Sequence, residues 1–261
     1  MIAHDFAPSR AKAKLGAMKL IVTLAALAAL AAAPARADIK VLSAGAVESG
    51  IRPAAEAYAK ATGVKVEVSV ATAPELLRRI AAGEAADVLI LTEAGLDQLA
   101  KAGTVDGSRR VALGRVGVGV AVRDGALKPD IASAEALKRA VGAADRVVYN
   151  QASTGLYVEG MLKKIGAEAS AKTVRYADGN GVMGHIRDGK GAEIAFGAMT
   201  EIMMYQGKGV ALAGPLPEAI QNYTAYAAAP LAKAADPDGA RRFLDDLKGP
   251  GKARFEAAGI R

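Results

Sequence analysis

From Ile39 onward, short runs of strand-forming residues alternate with amphipathic stretches that close on glycine, and no other feature limits the fold as tightly. IKVLSA (39–44), VKVEVSV (64–70) and DVLILT (87–92) read as strands. Between and after them, PAAEAYAKATG, PELLRRIAAG and EAGLDQLAKAG read as helices stopped by Gly63, Gly83 and Gly103. DVLILT is almost wholly apolar, as expected of a strand covered on both faces. This spacing predicts right-handed βαβ units and a parallel sheet with helices on both sides.

The alternation breaks at VALGRVGVGVAVR (111–123), a long extended run punctuated by glycine. A second strand–helix set follows: SAEALKRAVGAA, RVVYN, GLYVEGMLKKIG, KTVRYA, GVMGHIRDG and EIAFGA. NYTAYAAAP (222–230) is a second extended run, and the closing PDGARRFLDDLKGPGKARFEAAGI has helical periodicity. The expected fold class is therefore α/β, with two lobes joined by two extended hinge crossings. Residues 38–115 plus 229–261 form lobe one, and residues 116–228 form lobe two. Such a pair encloses a cleft and closes on a hinge.

Ahead of the lobes, Lys19 is followed by fourteen apolar residues, LIVTLAALAALAAA, and then by Pro34, Ala35, Arg36 and Ala37. A basic flank, a short apolar run and an Ala-x-Ala ending describe a cleavable export signal, cut after Ala37. The run falls short of the roughly 20 residues that span a membrane. The mature chain is thus expected in the periplasm, and Met18 is an alternative start. The leader carries five basic residues and one acid, which leaves +3 on the remainder and no reason to invoke nucleic acid. The absence of cysteine excludes a disulfide scaffold, a thiolate metal site and a cysteine nucleophile. No GxxxxGK followed by Ser or Thr (Gly184 to Lys190 runs into Gly191), no Ser-His-Asp order and no His/Glu metal spacing occurs, so neither a metal nor another cofactor is expected. No anchor or further module follows the lobes, which disfavours a sensing or adhesion role.

Ligands of open α/β sheets sit where strands run into helices. Four such loops stand out: Ser43, Ala44, Gly45 and Ala46 after the first strand; Thr72 and Ala73 after the second; Asn150, Ser153, Thr154 and Gly155; and the Asp178-Gly179-Asn180-Gly181 turn leading to Val182. Thr72 and Glu75 have capping-box spacing, with Pro74 in the first helical turn. Hydroxyls and backbone N–H groups at helix N-termini bind anions without lysine or arginine. Taken together, the four loops point to a small anionic ligand, an oxyanion or a carboxylate.

From Ile39 to about Ile260 the chain resembles the molybdate-binding, type 2 periplasmic solute-binding proteins of ABC transporters. The resemblance is carried by VLSAGA, by ELLRRIAAGEAADVLILTEAGLDQLAKAG, and by STGLYVEGML and EIAFGAMTEI. Its most diagnostic piece runs from Ile80 to Ile90. It implies the two-lobed type 2 periplasmic-binding-protein fold and a monomer that hands its ligand to an ABC permease. Molybdate binders, however, carry serine at the position of Ala46, serines where this chain has Thr72 and Ala73, and tyrosine at the position of Phe196. Each missing hydroxyl leaves an oxyanion underpaired by roughly 1–3 kcal/mol, which favours a carboxylate-bearing ligand, or another oxyanion held by backbone N–H groups, over molybdate.

The resemblance also reaches a catalytic branch, since the same superfamily includes a periplasmic aconitate isomerase. Allylic isomerisation needs a group that takes a proton and returns it. The candidates are His185, the single histidine of the mature chain, Glu201, which follows Thr200 at the mouth of EIAFGAM, and Tyr157. Solute capture ranks ahead of isomerisation at this stage, because most chains of this architecture only bind.

Overall fold

The computed structural model describes residues 38–168 and 172–261. The export signal read in 1–37 lies outside them. β1 (Ile39–Ala44) turns through a 3-10 segment (Gly45–Val47) into α1 (Glu48–Thr62). β2 (Val66–Ala71), α2 (Ala73–Ala81), β3 (Val88–Thr92) and α3 (Glu93–Lys101) complete the first set. The long β4 (Val111–Arg123) leads to α4 (Ala134–Ala143), β5 (Arg146–Asn150), α5 (Ser153–Lys164) and β6 (Thr173–Tyr176). After these come α6 (Gly179–Asp188), β7 (Glu193–Ala198), α7 (Met199–Tyr205) and β8 (Val210–Pro215). β9 (Tyr223–Pro230), α8 (Pro237–Lys248) and α9 (Lys252–Ala257) close the chain.

The strands lie in the order β2-β1-β3-β9-β4-β7-β5-β6, with β8 also on β4. The expected parallel pairs form at β1/β2, β1/β3, β5/β6 and β5/β7. The sheet is nevertheless mixed, because β9, β4 and β8 pair antiparallel. A strand that returns from the far half must run the opposite way, and periodicity alone carries no direction. β4 pairs with β9 from Val111↔Ala228 to Gly117↔Tyr223, and then with β7 and β8 from Val118 onward. β4 and β9 thus join the two halves as paired extended crossings. At Gly119 a Cβ would come within 3.0 Å of Met199 and 3.1 Å of Ile202, so the glycine lets α7 lie directly on the crossing.

The first half is completed by the end of the chain. Ile39, Ile51, Leu76, Leu89 and Leu96 share one core with Phe243, Leu244, Phe255 and Ile260. Tyr58 of α1 meets Phe243 of α8 edge-on at 5.1 Å between ring centroids. Buried Asp87 ties the same parts together, accepting hydrogen bonds from the Lys40 N–H (2.8 Å) and the Asp236 N–H (3.0 Å). The second half has its own clusters, one around Phe196, Val147 and Leu162, the other around Val182, Met183 and Ile202. Gly63, Gly83 and Gly103 all take positive φ at helix ends, as the stop positions require. The capping box does not form: the Thr72 side chain makes no cap bond, and Glu75 is held by Arg78 at 2.7 Å.

Candidate functional site

The loops at the carboxyl ends of β1, β2, β3, β5, β6 and β7 converge on a cleft of about 80 Å³. One water needs ~10–15 Å³, so the space takes a ligand of several heavy atoms. Ala44, Gly45 and Ala46 form one wall, continued by Val70, Ala71, Thr72, Ala73 and Thr92. Asn150, Ala152, Ser153 and Thr154 face them, with Asp178, Gly179 and Asn180 alongside. Glu48, Glu201, Met204, Tyr205 and Tyr226 complete the lining.

Local hydrogen bonds hold these loops in shape. Asn150 Oδ1 accepts from the N–H groups of Ala152 (3.1 Å) and Gly155 (3.0 Å). Asp178 Oδ1 caps the Gly181 N–H at 2.9 Å, and the Tyr205 hydroxyl donates to Asn180 Oδ1 at 2.9 Å. The helix starts differ in a telling way. Helices whose N-termini lie away from the cleft, α4 and α8, are capped by the side chains of Ser133 and Asp236. Of the starts that open onto the cleft, α3 and α6 are capped by Thr92 and Asp178, while the 3-10 turn, α2 and α5 carry no N-cap side-chain bond. Pro74 of α2 has no N–H and the Gly155 N–H of α5 goes to Asn150, so the helix-start donors on cleft-lining residues include those of the 3-10 turn, Ser153 and Thr154.

Charge inside the cleft runs against that. Glu48, Asp178 and Glu201 all line it, and no lysine or arginine among the described residues does. Glu48 is paired with Arg52 at 2.6 Å. Among the described residues Glu201 has no such partner. Burial pushes its carboxyl up to about 7, the negative charges of Asp178 and Glu48 add to the rise, and a hydrogen bond with the Ala198 backbone opposes it. A Cβ on Gly179 would stand 2.7 Å from Glu201 Cδ, and one on Gly45 2.9 Å from its Oε1. Two glycines on opposite walls thus make room for one carboxyl. Tyr226, on β9, is buried beside it. Burial and the Glu201 charge raise its phenol above the usual range, and a side-chain hydrogen bond with Ser153 works the other way.

Of the residues singled out from sequence, Ala44, Gly45, Ala46, Thr72, Ala73, Asn150, Ser153, Thr154 and Glu201 line this cleft. The others lie elsewhere. Ser43 is buried in β1 and donates to the Ala44 carbonyl at 3.1 Å. Gly155 sits behind Asn150, while Val182 and Phe196 are fully buried in the core of the second half. Thr200 Oγ1 donates to the Ala46 carbonyl at 2.6 Å, bracing α7 against the first loop. Tyr157 donates to the Ile220 carbonyl at 2.7 Å. His185 stands between the Tyr176 hydroxyl (2.9 Å) and Glu193 Oε1 (3.2 Å), outside the cleft lining. Sequence reasoning passed over Thr92, Tyr205 and Tyr226; the one signal for Tyr226 is a large polar ring in an alanine-rich crossing strand. Among the described residues no group of three or more His, Cys, Asp or Glu side chains is placed to hold a metal ion.

Residues 39–261 match the model of a family described as bacterial extracellular solute-binding protein. Aconitate isomerase from a Pseudomonas species is 31% identical over 257 residues, covering 95% of this chain and 97% of that protein. The periplasmic molybdate-binding protein of Azotobacter vinelandii superposes with a TM-score of 0.69 at 19% identity, over 86% of this chain and 99% of that one. The sulfate-binding protein of Mycobacterium tuberculosis gives 0.68 at 18% identity, over 87% of each chain. At such identities the two structures establish the fold, the two-lobed α/β arrangement of type 2 periplasmic binding proteins.

Proposed function

The chain belongs to the bacterial extracellular solute-binding protein family, and from that premise we propose that it is an isomerase that moves an allylic proton on an unsaturated tricarboxylate of the aconitate type. The observation that carries this reading is Glu201: a carboxyl in the middle of an anion-sized cleft, poised near neutral pH and set between the glycine-bearing loops at Gly45 and Gly179. Pure capture of an anion gains nothing from an unpaired carboxyl at that point. The full-length likeness to an aconitate isomerase agrees with it.

In the proposed reaction the ionised Glu201 removes a proton from the methylene carbon beside a substrate carboxylate. The C–H bond breaks, an O–H bond forms on Glu201, and the electron pair spreads over the three-carbon unit and its carboxylate oxygens. Glu201 then returns the proton to the far carbon, and the double bond has moved by one position. One base on one face serves both steps. The N–H groups of the first loop and of α5 face the substrate carboxylates and favour the charge that develops on them. Because the base works only when ionised, kcat/KM should rise with pH through about 7.

The family and its molybdate- and sulfate-binding structural relatives support a second reading, capture of a small anion by a monomer that delivers it to an ABC permease. Ala46, which brings no hydroxyl to the cleft wall, weighs against molybdate in that case. Either role belongs in the periplasm, reached through the leader read in residues 1–37. Incubation of the mature protein with trans-aconitate in D₂O, followed by NMR, separates the two. The isomerase reading expects deuterium uptake and cis-aconitate, both reduced about 10²–10⁴-fold in Glu201→Gln. Neither exchange nor conversion, together with thermal stabilisation by an oxyanion, would establish the receptor instead.

A further inference from the structure

An acid-lined cleft without lysine or arginine has to offset developing negative charge with neutral donors. One such donor lies beside the base. We propose that Tyr226 is a second catalytic residue of this cleft, donating its phenolic hydrogen to the substrate carboxylate that gains charge as Glu201 takes the carbon-bound proton. This rests on the isomerase reading.

Three observations support it. The ring is 3% exposed yet lines the cleft, so its hydroxyl has ligand space on one side and core on the other. Its position is built into the fold: on β9 it pairs with Thr92 of β3 on one side and Gly114 of β4 on the other. The register slips between Ala112 and Gly114, so β4 carries a bulge directly opposite Tyr226. Finally, the hydroxyls of Tyr157 and Tyr205 donate to an Ile220 carbonyl and an Asn180 side chain, and Tyr176 bonds to His185. Tyr226 instead meets the Ser153 side chain, itself a lining residue of the cleft, so among the described residues its hydroxyl is not committed to a carbonyl or amide oxygen.

The pair with Glu201 gives this donor its timing. While Glu201 is ionised, its charge and the surrounding burial hold the Tyr226 phenol above its usual range, so it stays protonated. When Glu201 accepts the substrate proton that charge disappears. The phenol becomes a stronger hydrogen-bond donor at the moment the substrate oxygen becomes an enolate oxygen. The interaction is thus stronger in the transition state than in the ground state, which is the requirement for raising kcat rather than tightening binding.

The test compares wild type with Tyr226→Phe and Ser153→Ala, measuring trans-aconitate affinity by calorimetry and turnover and deuterium exchange by NMR. Tyr226→Phe should lower kcat about 10²–10³-fold, as loss of one oxyanion donor does, while Kd changes by less than about fivefold. Ser153→Ala, which removes the side-chain partner of the hydroxyl and keeps the ring, should lower kcat by about tenfold. An active wild type with a folded Tyr226→Phe variant within about threefold of it in kcat overturns the tyrosine's role alone. If that variant does not fold, unchanged kcat in Ser153→Ala overturns it. A wild type that neither exchanges nor converts substrate overturns the isomerase reading, and this inference with it.

Discussion

Gly155 and Gly179 look alike in the sequence and do different work. A Cβ on Gly155 would stand 1.6 Å from the Asn150 carbonyl oxygen and 2.5 Å from its carbon, a collision with backbone that no rotamer relieves. Gly155→Ala should therefore cost about 3 kcal/mol or more, read by urea denaturation, and should distort the loop of Ser153 and Thr154. A Cβ on Gly179 meets only the end of the Glu201 side chain, which can swing away. Gly179→Ala should leave stability within about 1 kcal/mol of wild type, yet cut turnover about tenfold or more by displacing the base. Equal losses of stability in the two variants would contradict the distinction. Glu201 itself was legible because it follows EIAFGA, now β7, where a strand gives way to a helix. His185 misled because helical phase does not fix depth. It lies six residues past the start of α6, roughly 9 Å along the axis from the end that faces the cleft.

Among the elements, strands and helices with strong periodicity were readable from the pattern of apolar residues and glycine stops. β8 was not: VALAGP is short and glycine-bearing, and its partner β4 is remote in the chain. The sequence assigned 229–261 to lobe one through the return crossing, since helical period alone says that a face is buried, not against what; in the structure α8 and α9 share the core of β1 to β3. That packing yields a prediction. A fragment ending at residue 116 loses Phe243, Leu244, Phe255 and Ile260 from its core, and both the β9 neighbour of β3 and the Asp236 N–H that bonds Asp87. It should show no cooperative thermal transition. Adding residues 222–261 in trans should restore one, since β9, α8 and α9 all lie within that segment. A cooperatively melting 38–116 fragment on its own would overturn this account of the lobe.

For the molecule as a whole, the unpaired carboxyl of the cleft couples function to stability. In the unfolded chain Glu201 titrates near 4.5, whereas in the folded protein it is pushed up to about 7. Between those values the native state holds a proton that the unfolded state has released. Stability therefore falls as pH rises through that window and levels off above it. With ~1.4 kcal/mol for each tenfold change in proton affinity, the loss is at most about 3.5 kcal/mol, and access of water through the cleft mouth reduces it. Glu201→Gln keeps the shape and removes the titration. The variant should match wild type near pH 4.5 and exceed it by roughly 1–3 kcal/mol above pH 7, in urea denaturation without carboxylate or phosphate buffers, which would occupy the cleft. The same variant should lose turnover, so the group that catalysis needs is one that folding disfavours. Parallel stability curves for the two proteins across that range would mean that Glu201 ionises as an ordinary carboxylate, and that the base of the reaction has to be sought among the other groups of the cleft.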